Sequence, residues 1–195
     1  MNTTIARAYC VLCALSVLVG CGAGAKPAPA PSCDQSCQDD VAVRAMRTAM
    51  RFAFNKGISA MDVGPQNVTL PCLPNGDGIG SVRIFGDAEA NADQGASFLS
   101  LTYDFENCFY SAPPSATADE NYAITMTGVV TEAGTLSQQP SATTALTILS
   151  TSLSVSGTVY DPPLDYQASA CAFAVNQTGN DVAGFWCERA AGFTF

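Results

Sequence analysis

The sequence predicts an α+β domain: one N-terminal helix packed on a curved antiparallel sheet of six or seven strands. The sheet either curls around the helix as a meander or closes part of the way into a barrel. Three observations carry this expectation. Residues 33–56 place apolar side chains at helical spacing, the pattern changes to period two from Gly64 onward, and short polar or Pro-rich connections separate the alternating runs.

The helix opens on Ser32-Cys33-Asp34-Gln35, which fits a capping box with Ser32 as N-cap and Gln35 reaching back. It ends at Lys56, with Gly57 as the expected C-cap. Ala42, Ala45, Met46, Ala49, Met50 and Ala53 share a wide apolar face. Arg44, Arg47 and Arg51 form a narrow stripe opposite, which reads as a solvated face. Cys33 and Cys37 stand four apart on one side of this helix, where regular geometry does not let them bridge. Each is expected to tie the helix to the sheet.

Val68-Leu70-Cys72 reads as a short strand. Ser81 to Ala88 sets Val82, Ile84, Gly86 and Ala88 against Arg83, Phe85 and Asp87. Phe98 to Phe109 sets Leu99, Leu101, Tyr103, Phe105 and Phe109 against Ser100, Thr102, Asp104 and Glu106. Alternation of this kind marks a strand with one wet face. Joined as a hairpin through Ala92-Asp93-Gln94-Gly95, these two strands pair Val82 with Phe105 and Ile84 with Tyr103, which sets Arg83 opposite Asp104. A slip of one residue would move Leu101 and Phe105 into water.

Tyr122, Ile124, Met126 and Val130 give the next strand, and Ala133 to Ser141 reads as a polar connection. Thr144 to Tyr160 changes phase between Ile148 and Leu149, so it holds a bulge or two strands. In Gln167 to Val175, Cys171, Phe173 and Val175 alternate with Ala168, Ala170, Ala172 and Ala174, a small-residue face suited to close packing on the helix. Ala183 to Glu188 is the last strand expected, followed by an apolar tail from Ala190 to Phe195 that packs down.

The N-terminus has a different character. Residues 2–7 are polar with the single charge Arg7, an apolar run extends from Ala8 to Val19, and small residues follow. That order describes an export signal, and the run is too short for the roughly 20 residues a membrane span needs. Leu18-Val19-Gly20-Cys21 resembles the lipobox of bacterial lipoproteins. The resemblance covers the first 21 residues only and implies cleavage before Cys21, with acyl chains on its thiol and new amine. It implies residues 1–20 as a signal peptide, 21–32 as a lipidated Cys and Pro/Ala-rich tether, and 33–195 as the folded domain. Gly22 is not the Asp that holds such proteins at the inner membrane, which in a host with two membranes points to the outer one. Pro27, Pro29 and Pro31 alternate with Ala, so the tether is extended.

The formal net charge is −9, and removing Arg7 with the signal takes it to −10. Phosphate binding needs clustered Lys and Arg, so nucleic acid is not an expected partner. With Cys10 and Cys13 in the signal and Cys21 lipidated, six cysteines remain: Cys33, Cys37, Cys72, Cys108, Cys171 and Cys187. An even set in an exported chain reads as three disulfides, with pairing open among 15 connectivities.

No catalytic constellation stands out. The chain has no His, which removes His-based triads and His-ligated metals, and its six cysteines lack a Cys-x-x-Cys pair. Only Lys26 and Lys56 could support Ser-Lys chemistry. Asp104 with Glu106, or Asp87 with Glu89, would serve a two-carboxylate hydrolase but read as ordinary surface pairs. Asn75-Gly76-Asp77-Gly78 resembles the middle of a calcium loop. Leu73 and Ile84 occupy the first and twelfth positions, so a tight turn is expected there and no metal or other cofactor.

The expected function is therefore a non-catalytic binding or structural module of the envelope, membrane-held through Cys21. It would meet a protein partner through the exposed sheet face or loops. The alternative is a carrier of a hydrophobic ligand or lipid in a curved-sheet cavity lined by Leu99, Leu101, Tyr103, Ile124, Met126 and Phe173; a carboxylate hydrolase is the weakest reading.

Overall fold

The helix α1 (Gln35–Gly57) is covered on nearly every side, not on one face. Val41, Ala42, Val43, Ala45, Met46, Arg47, Ala49 and Met50 are all buried, a run that covers about two thirds of the helical circumference and leaves a half-buried stripe at Asp40, Arg44, Thr48 and Arg51. A computed structural model describes residues 32–59, 63–72, 79–91, 96–137 and 144–195. Cys33–Phe195 forms one compact unit. The lipobox with Cys21, the tether residues 21–31, the Asn75-Gly76-Asp77-Gly78 turn and the 92–95 hairpin turn lie outside the described residues.

Eight antiparallel strands follow the helix, paired strictly in chain order. They are β1 (Gly64–Pro71), β2 (Ser81–Asn91), β3 (Ala96–Ser111), β4 (Tyr122–Ser137), β5 (Ala145–Val159), β6 (Leu164–Thr178), β7 (Asp181–Trp186) and β8 (Arg189–Thr194). The two edges, β1 and β8, do not pair, so the sheet stays open. Both edge strands nonetheless touch α1, as do β2, β3, β4 and β5, so the sheet wraps the helix. Gly86 and Gly157 help the strands bend. Their φ angles are +129° and +141°, and a Cβ on either would stand 2.1 Å from a carbonyl oxygen of the neighbouring strand.

The expected β2–β3 register is the one observed: Val82 pairs with Phe105, Ile84 with Tyr103 and Arg83 with Asp104. Other expectations are corrected. There are eight strands instead of six or seven, because the apolar tail is itself a strand, β8. β4 runs on through the Ala133–Ser137 segment read as a connection. Of the two readings of 144–160, a bulge or two strands, the first is observed: β5 is one strand carrying an irregularity between Ser150 and Leu153. The alanine face of β6 points the other way: Ala170, Ala172 and Ala174 are exposed, whereas Cys171, Phe173 and Val175 face the core. The phase changes at Ala170, whose φ is +48°, beside the irregular pairing between Leu153 and Val155.

Three disulfides pair neighbours in sequence: Cys33–Cys37, Cys72–Cys108 and Cys171–Cys187. The first corrects the expectation that Cys33 and Cys37 each tie the helix to the sheet. The N-cap is Asp34, not Ser32, and its side chain accepts from the Cys37 N–H at 3.0 Å. Cys33 therefore lies outside the helix, its backbone is free of helical geometry, and the Cα–Cα distance closes to 5.2 Å. At the other end the helix includes Gly57, and Ile58 is the C-cap.

Candidate functional site

The six residues expected to face a ligand are indeed brought together, but α1 covers them. Leu99, Leu101 and Tyr103 of β3, Ile124 and Met126 of β4, and Phe173 of β6 all belong to the buried core that the helix completes. The helix-facing side of the sheet is therefore filled at this point.

Two clusters of charged and polar groups interrupt that core. In the first, Arg47 Nη1 lies 3.0 Å from Glu132 Oε1, with both side chains 1% exposed. Tyr103 donates its hydroxyl to Glu132 Oε2 at 2.6 Å, and Arg47 Nε donates to Gln177 Oε1 at 2.8 Å. Burial, reinforced by the Glu132 carboxylate, raises the Tyr103 pKa well above its ordinary value, so the phenol stays protonated and keeps donating. In the second cluster Asp39 is the hub. It accepts from Arg189 Nε at 2.6 Å and Nη2 at 3.0 Å, from the Tyr166 hydroxyl at 2.8 Å and from Gln35 Nε2 at 3.1 Å. Trp186 Nε1 in turn donates to the Tyr166 oxygen at 2.7 Å. Burial and the Asp39 carboxylate together raise the Tyr166 pKa.

The Arg47–Glu132 cluster is buried, the Asp39 carboxylate is buried beneath a half-exposed Arg189, and both clusters join α1 to strands distant in sequence. Their chemistry is positional: they fix how the helix sits in the sheet. The Arg stripe, expected to be solvated, takes part in this. Arg47 is buried, Arg44 pairs with Asp119 at 3.0 Å and stands 4.9 Å from the Phe193 ring centre, and Arg51 stands 4.9 Å from that of Phe195. The sheet closes over the side of the helix where water was expected.

The carboxylates weighed for hydrolysis do not converge on a cleft. Asp87, Glu89, Asp104 and Glu106 are all exposed on the outer face of β2 and β3, and Asp104 stands opposite Arg83. Among the described residues no group of three or more Cys, Asp or Glu could hold a metal ion. No described helix is long and apolar enough to cross a membrane.

Two accessible features stand out among the described residues. One is the outer face of β4–β6. Between Tyr122 and Asn180 the only charged residues are Glu132, Asp161 and Asp165. Glu132 is buried, Asp161 sits in the β5–β6 turn and Asp165 is exposed at the start of β6, so the outward side chains along the rest of these strands are Thr, Ser, Ala, Val, Leu, Gln and Asn. Across this face Thr131 is opposite Leu149, Leu149 opposite Ala174, Ala174 opposite Phe185 and Phe185 opposite Ala190. Phe185 is 61% exposed, and Val129 and Leu149 are also exposed. The other feature is an apolar cleft of about 280 Å³ between the last two turns of α1 and the ends of β1 and β3.

Sequence reasoning missed Asp39, Arg47, Glu132 and Arg189. Two of them carried a signal. Glu132 keeps the even-numbered phase of Tyr122, Ile124, Met126 and Val130, and Asp39 falls on the same helical face as Val43, Met46 and Met50. Comparisons with protein-family models, with curated proteins and with solved structures returned no match. What the molecule does must be read from its own geometry.

Proposed function

We propose that this protein is an exported lipoprotein of the bacterial cell envelope, held by acyl chains on Cys21, that acts by non-catalytic binding through the outer face of its sheet. The observation that carries the reading is the outer face of β4–β6, whose one charged side chain is Asp165 at the start of β6, in a chain of net charge −9. Acidic surface elsewhere keeps the molecule soluble and apart from its neighbours. Here that repulsion is missing, and exposed Val129, Leu149 and Phe185 add apolar area. Three strands of about 15 residues, at roughly 3.3 Å per residue and 4.8 Å between strands, present about 700 Å². That approaches the ~800 Å² a partner gives to a standard interface. The three disulfides agree with life in an oxidising compartment.

The test is made in the bacterial host with the full chain. The wild type should fractionate with membranes and take up a labelled fatty acid, and Cys21→Ser should lose both. A photoreactive residue at Leu149 should form a discrete cross-link to another protein, and one at Asp87 should not. Equal cross-linking at the two positions, or none at Leu149, would remove the sheet-face reading; label retained by Cys21→Ser would remove the anchor.

A further inference from the structure

The cleft at the C-terminal end of α1 is separate from the outer sheet face and has its own chemistry. One wall is a single helical stripe, Ala49, Phe52, Ala53 and Lys56, spaced i, i+3, i+4 and i+7. The other is built by Leu70 and Pro71 of β1, Phe105 and Tyr110 of β3, and the Cys72–Cys108 disulfide. Phe52 and Tyr110 pack on each other where the two walls meet, with ring centres 5.9 Å apart. Among the described residues every lining side chain is apolar or aromatic except one: Lys56 is the only charged one of them that borders the cleft.

Lys56 is exposed, and its Nζ stands 5.8 Å from the centre of the Phe52 ring. It makes no ion pair with any carboxylate among the described residues. This is an unusual position for a cation in a chain with 8 basic and 17 acidic residues. The carbonyls at a helix C-terminus repel an anion, and a lysine in the last turn offsets them. An apolar slot with an ammonium at its mouth that no described carboxylate pairs has the complementarity of a single-chain anionic amphiphile. The volume, near the lower limit of the roughly 300–1,000 Å³ usual for ligand pockets, admits one chain and excludes a two-chain lipid.

We propose that this cleft binds a free straight-chain carboxylate of medium length, with the alkyl chain between Phe52, Phe105, Tyr110 and the Cys72–Cys108 disulfide and the carboxylate on the Lys56 ammonium. Binding is non-covalent and leaves the fold unchanged, because the helix is held from its other end by the Asp39 and Arg47 clusters. The ligand competes for no residue of the β4–β6 face, so either site can fail while the other stands.

The test is calorimetric titration of the full mature chain carrying Cys21→Ser, with hexanoate, octanoate and decanoate below their micellar concentrations. One saturable site is expected, with affinity rising about fourfold per added CH₂ until the cleft is full, as ~0.8 kcal/mol per buried CH₂ requires. Lys56→Gln, an exposed substitution, should weaken decanoate about tenfold and leave decanol unchanged. Decyltrimethylammonium, with the same chain and the opposite head, should bind more weakly than decanoate and bind more tightly on Lys56→Gln. Absence of saturable decanoate binding overturns the proposal. So does binding that ignores both head group and Lys56→Gln, which would mean unspecific adsorption to apolar surface.

Discussion

The two halves of α1 are held in opposite ways. From Asp39 to Arg47 the helix is fixed by directional bonds. Asp39 takes Arg189 and Tyr166, Asp40 accepts the Gly192 N–H at 2.7 Å, Arg44 pairs with Asp119, and Arg47 pairs with Glu132. From Ala49 to Gly57 the contacts are apolar: Met50, Ala53 and Phe54 in the core, and Phe52 and Lys56 over the cleft. Directional bonds set the register and rotation of a helix, because a small displacement breaks them. Apolar contact is indifferent to small shifts. One half therefore locates the helix, and the other can yield to a guest between helix and sheet without losing its place.

The comparison breaks hardest at Glu132. Glu132→Leu leaves Arg47 buried without its counter-ion and should cost about 3–5 kcal/mol in urea unfolding, whereas Arg47→Met/Glu132→Leu together should recover most of it. A single-mutant loss under ~1 kcal/mol would mean that the pair does not locate the helix. The disulfides reverse the ranking of the two ends. Chain entropy assigns about 4 kcal/mol to Cys72–Cys108, whose cysteines are 36 residues apart, and about 2 kcal/mol to Cys33–Cys37, 4 apart. Pairwise Ala replacement, followed by denaturant midpoints, should preserve that order; the opposite order would show that native contacts outweigh loop closure. Asp39→Asn keeps the shape but removes the charge that Arg189 and Tyr166 converge on, with an expected loss of about 2–3 kcal/mol.

Alkaline pH probes both ends at once. Burial pushes the Tyr110 pKa up to about 12 at the cleft and raises those of Tyr103 and Tyr166 in the clusters. A phenol whose pKa is raised by folding contributes stability that is complete below about pH 10 and is lost as pH climbs through the folded value. Stability should thus be flat up to about pH 10 and fall from there toward 12, and tyrosinate absorbance should rise together with loss of structure. Ionisation of these tyrosines near pH 10 in the folded protein would contradict their burial. The smallest effect is expected at Gly57. A Cβ there would stand 2.7 Å from Leu70 Cδ1, the end of a flexible side chain, and Ala is worth up to about 1 kcal/mol over Gly in a helix. Gly57→Ala should therefore move stability by less than ~1 kcal/mol, as suits the yielding end; a loss of several would make that end as exacting as the other.

Much of this architecture is legible in the sequence, and its limits have physical causes. The β2–β3 register could be read because each strand has one wet and one dry face, and only one alignment keeps both. The sheet count fell short at β8, where Ala190 to Phe195 lacks clean alternation. Ala170 inverted the reading of β6, since a left-handed residue and a bulge change the phase without changing composition. The burial of Arg47 was hidden because it borders the half-buried stripe of Asp40, Arg44, Thr48 and Arg51, and its charge groups it with them. Of the candidate sites, the cleft residues are scattered over four elements, and nothing in their spacing brings Lys56 near Tyr110. The sparsely charged stretch from Tyr122 to Asn180, by contrast, is visible in the bare sequence once β4–β6 are aligned.

The disulfides join the six cysteines in the order of the chain: the first with the second, the third with the fourth, the fifth with the sixth. Of 15 arrangements, this is the one reached by an oxidase that couples each thiol to the last one left unpaired as the chain threads N-terminus first across a membrane. No earlier bond has to be broken to admit a later one. A chain with this wiring can mature wherever thiols are oxidised, even where nothing reshuffles them.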